Sequence, residues 1–67
     1  IRVNCIVPGG VENNQNKIFI KNYSSKTALG RMANSEDLNG IIHLLCSKNS
    51  SYITGSTIVV DGGWTAI

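Results

Sequence analysis

The chain has 67 residues, room for one domain at most, and a domain this small buries only about 60% of the surface its unfolded form exposes. Six basic and four acidic residues leave a net charge of +2 with no basic stripe, which argues against nucleic acid or an anionic membrane as partner. No apolar run approaches the roughly 20 residues of a membrane span, and the N-terminus lacks a signal-peptide layout. Cys5 and Cys46 have neither a C-x-x-C spacing nor a histidine pair beside them, so no metal site is expected. They read as buried thiols of a reducing compartment.

Residues 1–7, "IRVNCIV", predict a strand with Ile1, Val3, Cys5 and Val7 on one face and Arg2, Asn4 and Ile6 on the other. Pro8 ends it, having no N–H for a ladder, and Gly9 and Gly10 permit a tight turn. The strand begins without an initiator Met, and further sequence is expected upstream. Residues 11–33 are polar and weakly patterned, with a short helix near Lys17–Tyr23; so long a stretch of sparse structure reads as functional or mobile.

The run "SEDLNGIIHLLCS" over 35–47 predicts a helix with Ser35 as N-cap and Glu36 and Asp37 at the positive end of its dipole. Leu38, Ile41, Ile42 and Leu45 form its apolar stripe, Lys48 suits its C-terminal end and Asn49 its cap. After a connector with Gly55 at its turn, residues 56–60 form a second strand, apolar on both faces, as inside a parallel sheet. The order is strand, long excursion, helix, strand, one right-handed crossover unit of an α/β fold. Two strands and one helix leave a sheet face bare and both edges unpaired, so neighbours are expected.

Chemistry-bearing patterns are few. None of the seven glycines forms a dinucleotide-type glycine loop. Tyr23 and Lys26 are three apart and lie in the excursion, so they are not expected to be catalytic. Arg31 and Asp37 read as solvated charges, and His43 as a surface or interface residue. Asp61 is expected to cap the Gly62-Gly63 turn, with Trp64 as the anchor of the tail.

The segments "IRVNCIVPGGV", "LGRMANSEDLNGIIHLL" and "SSYITGSTIVVDGGW", in this order and spacing, resemble the C-terminal quarter of a short-chain dehydrogenase/reductase. The resemblance is weakest over 12–28. It implies an α/β fold, the C-terminal β-α-β portion of a Rossmann-type doubly wound parallel sheet. Residues 1–67 would be the last part of one such domain, with 1–7 as its sixth strand, 35–47 the following helix and 56–60 the seventh strand. The glycine-rich loop and the catalytic Ser, Tyr and Lys would lie outside this chain, leaving no catalytic residue within it. The implied cofactor is NAD or NADP. Pro8, Gly9 and the backbone of Val11 would meet the nicotinamide or its carboxamide. Asn13, where the family often has Thr, would bind the cofactor through its amide.

The resemblance makes 11–33 a substrate lid, and its Asn, Gln and Ser content suits a polar, sugar-like carbonyl or alcohol substrate. It also implies a cytoplasmic homo-oligomer that pairs through residues 35–64. The fragment alone is expected to be inactive. The alternative is a non-catalytic interaction or oligomerisation module, or a decayed remnant of the same family, docking on a homologue through residues 35–64 by adding to a sheet edge.

Overall fold

The computed structural model describes residues 1–66. Two strands, β1 (Cys5–Pro8) and β2 (Thr57–Val60), pair in parallel, in register from Cys5 opposite Thr57 to Pro8 opposite Val60. Between them lie the helices α1 (Lys17–Ser24) and α2 (Asn39–Cys46). Short 3-10 turns occupy Ser35–Leu38, Lys48–Ser50 and Trp64–Ala66. The expected strand–excursion–helix–strand order is present.

Both strands are shorter than their apolar runs suggest. At the start of the chain the backbone bonds the connector before β2. Gly55 N–H donates to Val3 O at 2.8 Å, and Val3 N–H donates to Thr54 Oγ1 at 3.2 Å. The Arg2 guanidinium reaches the carbonyls of Leu45 and Ile53, and Asn4 both donates to Ile53 O and accepts from Ser56 N–H. Further on, Cys5 N–H and Gly9 N–H donate to the Ser56 and Val60 carbonyls, 2.9 Å each. Pro8 falls between these alternating donors, so its missing proton deprives β2 of nothing.

The helix expected over 35–47 is two pieces. Its cap is Asn34, not Ser35: Asn34 Oδ1 accepts from Asp37 N–H at 3.2 Å while Asp37 Oδ2 accepts from Asn34 N–H at 2.9 Å, a reciprocal capping box. That box tightens the first turn into 3-10 geometry before α2 begins. At the other end Ser47, not Lys48 or Asn49, closes α2, its Oγ donating to Leu44 O and accepting from Asn49 N–H.

The excursion is closed at its base. Val11 and Ala33 form a parallel bridge, with Glu12 N–H donating to Ala33 O at 2.7 Å and Ala33 N–H to Gly10 O at 3.0 Å. Inside it, Asn16 caps α1 by accepting from Phe19 N–H. The buried Thr27 hydroxyl accepts from Arg31 N–H at 3.0 Å, folding 27–31 into a tight bend.

Very little is buried. Among the described residues the apolar interior is Met32, 5% exposed, with Thr27 and Ser50 buried as polar residues. Ile6, Ile58 and Val60 are half-buried on one sheet face, while Val7 and Val59 on the other are 41% and 48% exposed. Cys5 and Cys46 are free and exposed, contrary to the expectation of buried thiols, because each sits on a face this chain does not cover.

Candidate functional site

The carboxyl ends of β1 and β2 lie side by side, and the loop leaving β1 carries Pro8, Gly9, Gly10 and Val11. Pro8 is exposed and Gly9 half-buried, its backbone so near Asp61 that a Cβ there would lie 2.8 Å from the Asp61 Cβ. Val11 is half-buried in the bridge to Ala33; its carbonyl accepts from Gln15 Nε2 at 3.1 Å. Among the described residues the Val11 N–H has no acceptor, although the N–H groups of Gly9, Gly10, Glu12 and Asn13 all have one. Asn13 is exposed, and its side-chain amide has no partner among the described residues.

Residues outside the expected binding set hold this loop. Gln15 braces it from both sides, donating to Val11 O and accepting from Asn13 N–H. Gly10 N–H donates to Tyr23 Oη at 2.6 Å. Tyr23 itself stacks on Trp64, with ring centroids 4.5 Å apart, and lies 6.1 Å from Phe19. Tyr23 is thus part of a packed aromatic cluster and its hydroxyl is committed to the loop; the excursion is not slack where it carries this residue. No spacing rule points from Gly10 to a tyrosine thirteen residues on.

Behind the turn, a cavity of about 150 Å³ is lined by Gly10, Tyr23, Arg31, Asp37, Val60 and Asp61, among others; Pro8, Gly9, Val11 and Asn13 do not line it. Asp61 accepts from Gly63 N–H, Thr65 N–H and Thr65 Oγ1, the capping role expected of it. The Thr65 hydroxyl, then the backbone N–H groups, draw its carboxyl below the usual range.

Arg31 and Asp37 form a two-pronged ion pair, 2.7 and 3.2 Å, rather than separate solvated charges. The Arg31 hydrogen bond, then the Asn34 N–H, lower the Asp37 pKa from 3.8 to about 2. A carboxyl lowered on folding stabilises the native state above its unfolded value, and that contribution fades as pH falls from 3.8 to about 2. In a protein carrying this segment, Asp37→Asn is expected to remove that part of the acid sensitivity. The check is melting temperature from pH 5 to pH 2 for both proteins; parallel curves would count against it.

Among the described residues no hydrogen-bonded nucleophile–base pair is formed. Among the described residues no three His, Cys, Asp or Glu gather as a metal site, His43 is exposed on α2, and no helix is long and apolar enough to cross a membrane. What the loop leaves open is a backbone donor at Val11 and a side-chain amide at Asn13, neither with a partner among the described residues, beside a close approach of backbone at Gly9.

The family profile described as Enoyl-(Acyl carrier protein) reductase matches residues 1–65. A short-chain dehydrogenase from Leptospira borgpetersenii, solved with bound NAD+, superposes with a TM-score of 0.91 at 53% identity, over 96% of this chain and 25% of its own. The chain belongs to the short-chain dehydrogenase/reductase family. A gluconate 5-dehydrogenase of the same fold from Burkholderia cenocepacia, in complex with NADP and tartrate, superposes with a TM-score of 0.88 at 28% identity, over 98% of this chain and 28% of its own. Post-translational flagellin modification protein A of Campylobacter coli is 42% identical over 64 residues, 96% of this chain and 25% of that protein. The chain therefore spans about a quarter of the length of the short-chain dehydrogenase/reductase relatives it matches.

Proposed function

We propose that this chain forms the nicotinamide-side wall of an NAD(H)- or NADP(H)-dependent oxidoreductase that interconverts a carbonyl and an alcohol. The observation that carries the reading is the Val11 N–H, which has no acceptor among the described residues although the N–H groups of Gly9, Gly10, Glu12 and Asn13 around it are bonded, at the carboxyl end of a parallel strand pair. An N–H kept free in so tightly bonded a turn suits a ligand amide, and this end of a parallel sheet is where α/β folds take ligands. The loop therefore fits a nicotinamide. When bound, that cofactor supplies the hydride donor or acceptor.

In this reading Pro8 and Gly9 set the turn that lets a flat ring approach. The Val11 N–H donates to the carboxamide oxygen, and the Asn13 side chain gives a further hydrogen bond in place of the family's usual threonine. The catalytic Ser, Tyr and Lys belong to sequence outside these residues, and no proton transfer is assigned to Tyr23, whose hydroxyl is used by Gly10. Residues 11–33 act as the lid over the substrate. The gluconate 5-dehydrogenase solved with NADP and tartrate supports a polar, sugar-like substrate. Exposed Ile42, Leu44 and Val59 support burial of 35–64 against the rest of the sheet or a second protomer.

The test is to express the complete reading frame that contains this segment and follow NADH and NADPH oxidation with a panel of carbonyl compounds, sugar-derived ones included. Turnover by the complete protein and none by residues 1–67 is expected. A complete protein that binds neither nucleotide would overturn the proposal.

A further inference from the structure

We propose that Tyr23 is a positioning residue that aims the Val11 N–H, coupling α1 to the nicotinamide carboxamide; the proposal rests on the reading of Val11 given above. A trans peptide unit is planar, with its N–H and C=O pointing in opposite directions. Gly10 O and Val11 N–H belong to one such unit, and Gly10 O is held by Ala33 N–H at 3.0 Å. The Val11 N–H therefore points away from Ala33. The preceding unit, which ends in the Gly10 N–H, is held by Tyr23 Oη at 2.6 Å. Two successive peptide planes are thus fixed, one from the middle of the excursion and one from its end. Between them only the two soft dihedrals of a glycine remain to be controlled, and glycine does not control its own.

The Tyr23 ring cannot swing freely. It is stacked on Trp64 with 23° between the planes, and Phe19, one turn earlier on α1, lies 6.1 Å from it. Gly10 must also lack a side chain: a Cβ there would lie 2.7 Å from Tyr23 Oη and closer still to the ring carbon that bears it. Glycine, phenol and indole form one tether. Any movement of α1 over substrate is therefore felt at the carboxamide donor.

The experiment compares the complete enzyme with its Tyr23→Phe variant, which keeps the stack and loses the bond. Its KM for the nicotinamide cofactor is expected to rise about three- to tenfold, the worth of one ordinary hydrogen bond, with kcat at saturating cofactor within about twofold. The preference for the normal cofactor over its thionicotinamide analogue, whose sulfur is a poorer acceptor, is expected to shrink; a residue that only supports the fold would leave that preference alone. Trp64→Phe, which keeps the phenol and trims its stacking surface, is expected to change the preference in the same direction by less. Unchanged KM and unchanged preference in Tyr23→Phe would overturn the proposal. A nucleotide-free readout separates it from the proposed function: tryptic cleavage at Lys21 and Lys26 is expected to be several-fold faster in Tyr23→Phe. Equal rates sink the tether, whereas a wild-type enzyme that binds no nucleotide sinks the oxidoreductase reading and leaves the cleavage result standing.

Discussion

Replacing Gly10 with alanine is expected to cost about 2 kcal/mol of stability in the complete protein, the middle of the range for overpacking a filled site. The added methyl would meet the Tyr23 ring and hydroxyl rather than the end of a flexible side chain. That ring has no free rotamer to retreat to, being stacked on Trp64 and bonded through its hydroxyl to the very residue that is changed. The loop or α1 has to move, and either movement breaks the bond between Gly10 N–H and Tyr23 Oη. Urea denaturation of wild type, Gly10→Ala, Tyr23→Ala and the double variant measures this. Near-complete disappearance of the Gly10→Ala penalty in the Tyr23→Ala background is the expected signature of contact between the two. Equal penalties in both backgrounds would mean that the strain arises elsewhere.

Residues 1–67 by themselves are expected not to unfold cooperatively. Ordering a chain of this length opposes folding by on the order of 100 kcal/mol, which apolar burial has to offset. Here Met32 is the buried apolar side chain among the described residues, while Ile18, Leu29, Ile42, Val59 and others stay exposed. The shape agrees: the radius of gyration is 13.8 Å, whereas a compact domain of this length has about 11 Å, and the extents are 43 × 24 × 15 Å. Circular dichroism should decline smoothly on heating, and amides in both β1 and β2 should exchange within the dead time of a manual experiment. A monomer with a sharp melt and slow exchange in those strands would contradict this reading of the fold.

The element order was legible because its signals are local. Pro8 after a β-branched run, the apolar stripe of Leu38, Ile41 and Leu45, and the uninterrupted "TIVV" each announce their element without help from elsewhere. Asn34 was also within reach, since an N-cap with an acid three residues on is a capping-box spacing; Ser35, an equally good cap type one residue later, masked it. The links that shape the loop were not legible. Tyr23 meets Gly10, Leu29 N–H meets Gly62 O, and Ala28 packs against Gly63 through backbone positions that leave no periodic trace. Pro8, Gly9, Val11 and Asn13 were singled out through the family resemblance. Their exposure and bonding had to be seen, because the sequence alone does not say which N–H a turn leaves over.

The turn after β2 has a consequence for biosynthesis. It was expected to be capped by Asp61 and to anchor the tail through Trp64, and it also clasps the excursion, through Leu29 N–H on Gly62 O at 3.0 Å and the Trp64 ring on Tyr23. On the ribosome these clasps are translated after everything they hold. The loop that carries Val11 therefore leaves the exit tunnel with its links to Gln15, Tyr23 and Ala33 in reach, but with neither β2 beside it nor Trp64 behind the Tyr23 ring. Nascent chains stalled before Trp64 emerges should present a loop over residues 8–13 that is fully synthesised but less protected from proteolysis than in the finished chain.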